Sequence, residues 1–466
     1  MSGYIRLCQM ITLRPHQEEL ITRVRQEFFN GKRSVLMVSF VGSGKTVMFS
    51  YMTENAVKKG NNVLVLAHRE ELLDQISETL NMFNVDHGFI AADRPFYPGK
   101  KVQVGSVFTV ANRMGAFKRP DFIIIDESHH YSKGNTWSKI IDSYPDAKII
   151  GVTATPCRLD GAPLGDHFQS MVEGLTPAEL IQKGFLCDYV AYTPSLITTK
   201  GLKKSMGDYV KKDVEELMNK KSITGDAVDH WEKFAKGKKT VIFCSSVDHA
   251  KAVSEEYNSR GAPAASIDGK LDKDVRRNII NKFRSGEILV LTNYSIVSEG
   301  FNLPDIECVQ LLRPTASLSL YIQMIGRGLR TSEGKNKLII LDHVQMLNEF
   351  GLPDEKREWS LSAKIKKKKL GKNECPIKTC DNCFASNAIN ASMCNNCGNE
   401  FEVKSRNGIE IVSGELTAID KEKFRKEREM QRKKANSLED LIALGKARGY
   451  KNPTWWAKMV MKARGK

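Results

Sequence analysis

Gly42-Ser43-Gly44-Lys45-Thr46 combines two glycines, an amine and a hydroxyl at the spacing that holds a polyphosphate. Glycines let backbone N–H groups turn toward an anion, and a helix starting there adds its positive end. In that arrangement Lys45 reaches the terminal phosphates and the Thr46 hydroxyl holds Mg²⁺. Asp126-Glu127 supplies acids to match: Asp126 for the same Mg²⁺, Glu127 to orient or deprotonate an attacking water. Arg327 and Arg330 lie three apart, so on a helix they share a face. Two guanidiniums there suit a phosphate whose charge shifts during transfer. Cys380, Cys383, Cys394 and Cys397 offer a different chemistry. Two Cys-x-x-Cys pairs close in sequence can set four thiolates tetrahedrally around Zn²⁺, and so short a segment needs such a staple to fold. Cys375 is a spare thiol and a second choice as ligand.

These side chains need strands that end at one edge. Apolar runs at 35–38, 63–67, 102–104, 122–125 and 149–152 alternate with helical patterns, which predicts a parallel sheet with helices on both faces. The glycine loop follows the first run and Arg69 the second. Ser106 and Thr109 follow the third, Asp126-Glu127 the fourth, and Thr153 and Thr155 the fifth. Ligands bind at that carboxyl edge. Runs at 240–243, 265–267, 288–292, 309–312 and 338–341 predict a second sheet of the same kind, without a second phosphate loop. A weakening pattern over 180–192 and a Lys-rich helical stretch over 200–221 read as the connection.

The expected division is a first lobe at 1–190, a second at 191–355 and a basic linker at 356–374. A zinc ribbon at 375–403 and a basic helical tail at 404–466 complete it. In the tail, Ser437 and Asp440 form a capping box, and Asn452-Pro453 opens a helix holding Trp455 and Trp456. Those two rings either stack on bases within a basic rim or pack together as a hairpin core.

Length and charge set the frame. The 466 residues are too many for one core. Lys+Arg 71 against Asp+Glu 55 leaves +16, which suits a polyanionic partner. Five of the ten cysteines crowd into 375–397, which argues against a uniform disulfide scaffold. No apolar leader and no apolar run of about 20 residues occurs. The expectation is a soluble cytoplasmic protein with reduced thiols and no membrane partner.

In order, Leu13-Arg14-Pro15-His16-Gln17, the glycine loop, Ala67-His68-Arg69-Glu70, Asp126-Glu127-Ser128-His129 and Thr153-Ala154-Thr155-Pro156 resemble the first-lobe motifs of DExH-type superfamily 2 helicases. Ser298-Glu299-Gly300-Phe301-Asn302-Leu303-Pro304 and the stretch 321–330 resemble the last two motifs. The resemblance implies an α/β fold of two tandem RecA-like parallel-sheet lobes, with the zinc ribbon and helical tail behind them. It implies ATP and Mg²⁺, with Gln17 at the adenine and Arg14 beside it. Gly42, Ser43 and Gly44 would lie at the phosphates, and Gly300 and Asn302 at the nucleotide. Gln323, Arg327 and Arg330 would act in catalysis, and Thr153 and Thr155 would couple hydrolysis to movement. Arg69, Ser106, Thr109, Ser245, Thr292 and Ser298 would line the nucleic-acid path, although Ser245, Thr292 and Ser298 serve equally well as strand-end caps. Departures from the family pattern are Ser39 for glycine, Phe40-Val41 for Pro-Thr and Asn302 for Asp.

Two such lobes followed by a cysteine module, with the stretch 309–330, look most like the RadD-type bacterial and phage DNA repair helicases. That likeness implies an ATP-dependent DNA helicase or translocase in repair, recombination or replication. Its substrates would be single-stranded, forked or branched DNA, and its partners single-strand-binding or recombination proteins. It would act at the nucleoid or in a phage host's cytoplasm. Alternatives are an RNA helicase with the same engine and an ATPase clamp that only switches affinity. A restriction-complex motor is a further one, disfavoured because no nuclease-like cluster is evident.

Overall fold

The computed structural model describes residues 12–131, 134–156, 164–193, 203–205, 208–218, 221–294, 303, 305–362, 377–380, 382–401, 430, 435, 437–447 and 453–463. Apolar runs build the first sheet. Its strands are β1 (Ser34–Val38), β2 (Val63–Ala67), β3 (His87–Ile90), β4 (Val102–Ser106), β5 (Phe122–Ile125), β6 (Lys148–Thr153) and β7 (Ser170–Glu173). All pair in parallel, in the order β3-β4-β2-β5-β6-β1-β7. Val35, Met37, Val63 and Val65 pack with Leu20, Phe49 and Leu73 on one face. Leu36, Val38, Leu64 and Leu66 pack with Val110, Ile140 and Phe168 on the other. A sheet covered on both faces needs no polar alternation, so its strands read as continuous apolar runs. The edge strands β3 and β7, with sequences HGFI and SMVE, lack that signal and were not expected.

The second sheet is mixed, which corrects the expectation of two parallel sheets. Its strands are β8 (Asp188–Tyr192), β11 (Thr240–Cys244), β12 (Ala264–Ile267), β13 (Val290–Asn293), β14 (Cys308–Leu312), β15 (Lys337–Asp342), β16 (Ile377–Thr379) and β17 (Ala385–Ala388), in the order β12-β13-β11-β14-β15-β8-β17-β16. The first six in that order are parallel. The cysteine-bearing hairpin β16–β17 is added antiparallel to β8, with Ala385 opposite Tyr192 and Ser386 opposite Ala191. β8 thus belongs to the second sheet although it begins before residue 190.

The helix expected over 200–221 is also corrected. β9 (Lys204–Ser205) and β10 (Asp208–Tyr209) form a ribbon there, and among the described residues of that stretch a helix covers Lys211–Met218 and the next begins at Lys221. The Asp208 carboxylate pins the ribbon by accepting from Thr315 Oγ1 at 3.0 Å and the Ala316 N–H at 2.6 Å. Lysine counts carried no trace of that tertiary anchor.

After β15 the chain returns to the first lobe. Trp359 and Leu361 pack on its core, and the Gly165 N–H donates to the Leu361 carbonyl at 2.8 Å. Residues 403–466 form a separate compact unit. Within it, helices Leu438–Ala447 and Pro453–Ala463 close around Leu441 and Ala457. Ser437 Oγ accepts from the Asp440 N–H at 3.0 Å while the Asp440 carboxylate accepts from the Ser437 N–H at 3.2 Å, as the capping box requires. Among the described residues no helix is long and apolar enough to cross a membrane.

Candidate nucleotide and nucleic-acid site

β1 hands the chain to a loop that enters helix Lys45–Lys58. Gly42 and Gly44 sit at φ +86° and +90°, where a side chain is strained. Ser39, standing where glycine was expected, braces the loop. Its Oγ lies 2.6 Å from Ser43 Oγ, which donates to the Phe40 carbonyl at 2.6 Å. Gln17 works at both of its ends. Oε1 accepts the Arg14 N–H at 2.9 Å and caps helix Pro15–Phe29, while Nε2 donates to the Ser43 carbonyl at 2.9 Å. Capping and docking on the phosphate loop are therefore one arrangement.

Lys45 Nζ lies 3.5 Å from Glu127 Oε1, with both side chains nearly buried. Glu127 has φ +48°, a conformation that costs a non-glycine residue about 1–3 kcal/mol and gathers at functional sites. Asp126 beside it is buried and accepts the Glu127 N–H at 3.0 Å. Mg²⁺ usually takes one or two carboxylates together with hydroxyl, phosphate and water oxygens, which is the donor set Thr46 and Asp126 offer.

A hydrogen-bonded chain starts beside the acids, at His129. His129 Nδ1 lies 3.3 Å from Glu127 Oε2 and 3.1 Å from Thr153 Oγ1. Thr153 spends its hydroxyl hydrogen on the Thr155 carbonyl at 3.0 Å, so Nδ1 must carry the hydrogen it shares with Thr153. Thr155 Oγ1 donates in turn to Ser319 Oγ at 2.7 Å. Ser319 belongs to the second lobe. No motif marks it; the one sequence signal is its place one helical turn before Gln323.

Helix Leu318–Gly328 brings Gln323 and Arg327, both buried, to this junction. A Cβ on Gly326 would lie 2.5 Å from Val41 Cβ, and one on Gly42 would lie 3.3 Å from Arg330 Cγ and 3.0 Å from Leu186 Cδ2. The phosphate loop and the arginine-bearing segment therefore touch. Arg330 is held by a backbone bridge to Leu186, and burial pushes its pKa down. Gln323 Nε2 is buried without a hydrogen-bond partner among the described residues, an orphan donor that an anionic oxygen would satisfy. Leu186 was not singled out from sequence, nor was any contact between Val41 and Gly326, because close approach is a property of the folded pair.

The candidates for nucleic-acid contact divide. Arg69 precedes helix Glu70–Met82, Ser106 precedes helix Val107–Asn112, and Thr109 is half-exposed, all at the carboxyl edge of the first sheet. Ser245 and Thr292 are buried and turned inward. Ser245 Oγ lies 2.8 Å from His249 Nδ1, and Thr292 Oγ1 donates to the Ala250 carbonyl at 2.7 Å. Ser298, Gly300, Asn302 and Cys375 lie outside the described residues, as does the side chain of Trp455. Trp456 packs against the hairpin core of the tail.

The sulfurs of Cys380, Cys383, Cys394 and Cys397 all lie within 4.8 Å of one another. Asn387 and Asn396 donate amide hydrogens toward Cys394 and Cys383 sulfur, each at 3.5 Å. Donors aimed at sulfur favour thiolates, so the cluster fits a zinc ion.

Residues 10–158 match the family described as type III restriction enzyme, res subunit, and residues 220–332 match the helicase conserved C-terminal domain. A 51.5 kDa protein of a Lactococcus phage (isolate 7-9) is 34% identical over 412 residues, which is 88% of each chain. The Saccharomyces cerevisiae protein named "Putative ATP-dependent helicase IRC3" is 30% identical over 71% of this chain and 51% of its own, so the chain spans about half of that relative. The DNA-bound ATP-dependent type ISP restriction-modification enzyme LlaBIII shares the fold, with TM-score 0.55 and 16% identity, over 72% of this chain and 28% of its own.

Proposed function

The chain belongs to the ATP-hydrolysing helicases, and on that premise we propose an ATP-dependent DNA helicase or translocase of the RadD type, working in repair, recombination or replication. The observation that carries this reading is the contact between the phosphate loop and the segment bearing Arg327 and Arg330. A nucleotide held by Lys45, Thr46 and Asp126 faces Gln323, Arg327 and Arg330 across it. Nucleotide binding then favours a closed cleft, and loss of the terminal phosphate releases it. Glu127 orients or deprotonates the attacking water, and Lys45 takes up charge developing on the phosphates. Thr46 and Asp126 would hold Mg²⁺, which would supply positive charge against the phosphates.

The bond from Thr155 to Ser319 supports a coupling role, because it joins the neighbourhood of the catalytic acid to the moving lobe. Arg69, Ser106 and Thr109 are taken as phosphate contacts for one DNA strand, in keeping with the net charge of +16. The four cysteines are taken to hold structural zinc.

ATP turnover measured with single-stranded, duplex, forked and four-way DNA, beside RNA, tests the proposal. Forked or branched DNA should stimulate most, with strand displacement in a parallel assay. Stimulation by RNA alone overturns the DNA assignment. ATP-switched affinity without displacement or movement leaves the clamp reading in its place.

A further inference from the structure

The two Cys-x-x-Cys turns of the cysteine module, Cys380-Asp381-Asn382-Cys383-Phe384 and Cys394-Asn395-Asn396-Cys397-Gly398, close in the same way, and the difference that bears on the backbone is at their last residue. In each, the residue after the second cysteine lies in the left-handed region and donates its N–H to the first cysteine's carbonyl. Gly398, at φ +73°, donates to Cys394 O at 2.9 Å; Phe384, at φ +62°, donates to Cys380 O at 2.8 Å. Glycine takes this conformation freely, whereas a bulky residue there is strained. The turn alone is therefore better served by the residue at 398 than by the one at 384.

Burial does not compensate, because Phe384 is 51% exposed. Strain kept while half of the residue stays open to solvent points to a use for the ring. The surroundings indicate which use. The exposed Lys233 ammonium lies 4.8 Å from the Phe384 ring centroid and 5.1 Å from that of Phe234. Phe234 stacks on Tyr192, with centroids 4.1 Å apart and planes 20° apart, and Tyr192 lies on β8, the strand that pairs with β17. An aromatic surface open to solvent is thus fixed beside a positive charge at the sheet edge that carries the hairpin. Exposed Asn382 and Asn396, the latter bonded to Cys383 sulfur, supply amides beside it. A lysine and amides beside the ring suit an anionic partner with a flat face better than a wholly apolar one. A base on the ring with its phosphate near the ammonium fits the pairing.

We propose that Phe384 and Lys233 form a stacking contact for single-stranded nucleic acid, additional to the strand-end residues of the first lobe. This inference rests on the reading of the protein as a nucleic-acid motor.

Binding of a fluorescein-labelled single-stranded oligonucleotide to the full chain tests it by anisotropy. Phe384→Gly restores the residue type of the twin turn, so the fold should hold and the melting temperature should stay level or rise. Affinity should fall about tenfold, the size of one lost base stack, while ATP turnover without nucleic acid stays unchanged. Phe384→Trp should keep the affinity, and its fluorescence should be quenched on binding. Wild-type affinity in Phe384→Gly overturns the proposal. So does an affinity loss that Phe384→Trp shares, or a defect confined to binding a protein. A wild-type chain that binds no single strand at all would instead bring down the motor reading itself.

Discussion

Both lobes place hydroxyls at the carboxyl ends of parallel strands, and they use them in opposite ways. In the first lobe, Thr153 and Thr155 pass a chain of hydrogen bonds from beside Glu127 to Ser319 of the second lobe. In the second lobe, Ser245 and Thr292 turn inward to His249 and the Ala250 carbonyl. All four are hydroxyls at or within two residues of a strand's carboxyl end. What differs is where each hydroxyl finds its partner, so a strand-end hydroxyl is a candidate site only until that partner is known. The two glycines that flank Arg327 repeat the lesson. A Cβ on Gly326 would strike Val41 of the other lobe, whereas one on Gly328 would strike Leu338 and Val309 of its own sheet.

The largest expected effect probes the inward-turned set. Burial holds His249 down at about 4, below its ordinary 6.5, so it stays neutral in the fold while the unfolded chain takes up a proton. The second lobe therefore keeps its stability above pH 6.5 and loses about 3 kcal/mol on this account as pH falls to 4. Melting curves from pH 7 to pH 4 should fall steeply for the wild type and less so for His249→Asn; equal slopes would break the assignment.

Gly326→Ala comes next. It should lower ATP turnover roughly tenfold by wedging the lobes, without lowering the melting temperature, because alanine favours the helix. Gly328→Ala should instead destabilise the second lobe, and the two substitutions behaving alike would erase the contrast.

Smallest is the threonine pair, where one hydrogen bond worth about 1 kcal/mol is at stake in each. Thr155→Val should cut nucleic-acid-stimulated turnover severalfold. Thr292→Val should cost stability and leave nucleic-acid affinity untouched, as gel-shift titration would show.

Much of this was legible in the sequence for a physical reason. Strands such as 63–67 and 122–125 are buried on both faces and announce themselves as apolar runs, so the residues at their ends could be placed at one edge. Lys45 and Glu127 followed from that placement. β8, with sequence DYVAY, is half-buried beside the hairpin and carries no such run, so the stretch read as a connection when it is a strand. The contact of Val41 with Gly326 and the bond of Thr155 with Ser319 depend on two lobes meeting, and no local pattern encodes a meeting. Phe384 needed its twin at Gly398 in three dimensions before its conformation had meaning.

The central claim is that a nucleotide gripped by the first lobe is sensed by the arginines of the second. Measuring ATP affinity and ATP turnover side by side in Arg327→Ala tests it most directly. The account predicts near-normal ATP binding with turnover reduced about a hundredfold or more, as expected when a group stabilising transition-state charge is removed. Wild-type turnover in that variant would contradict it.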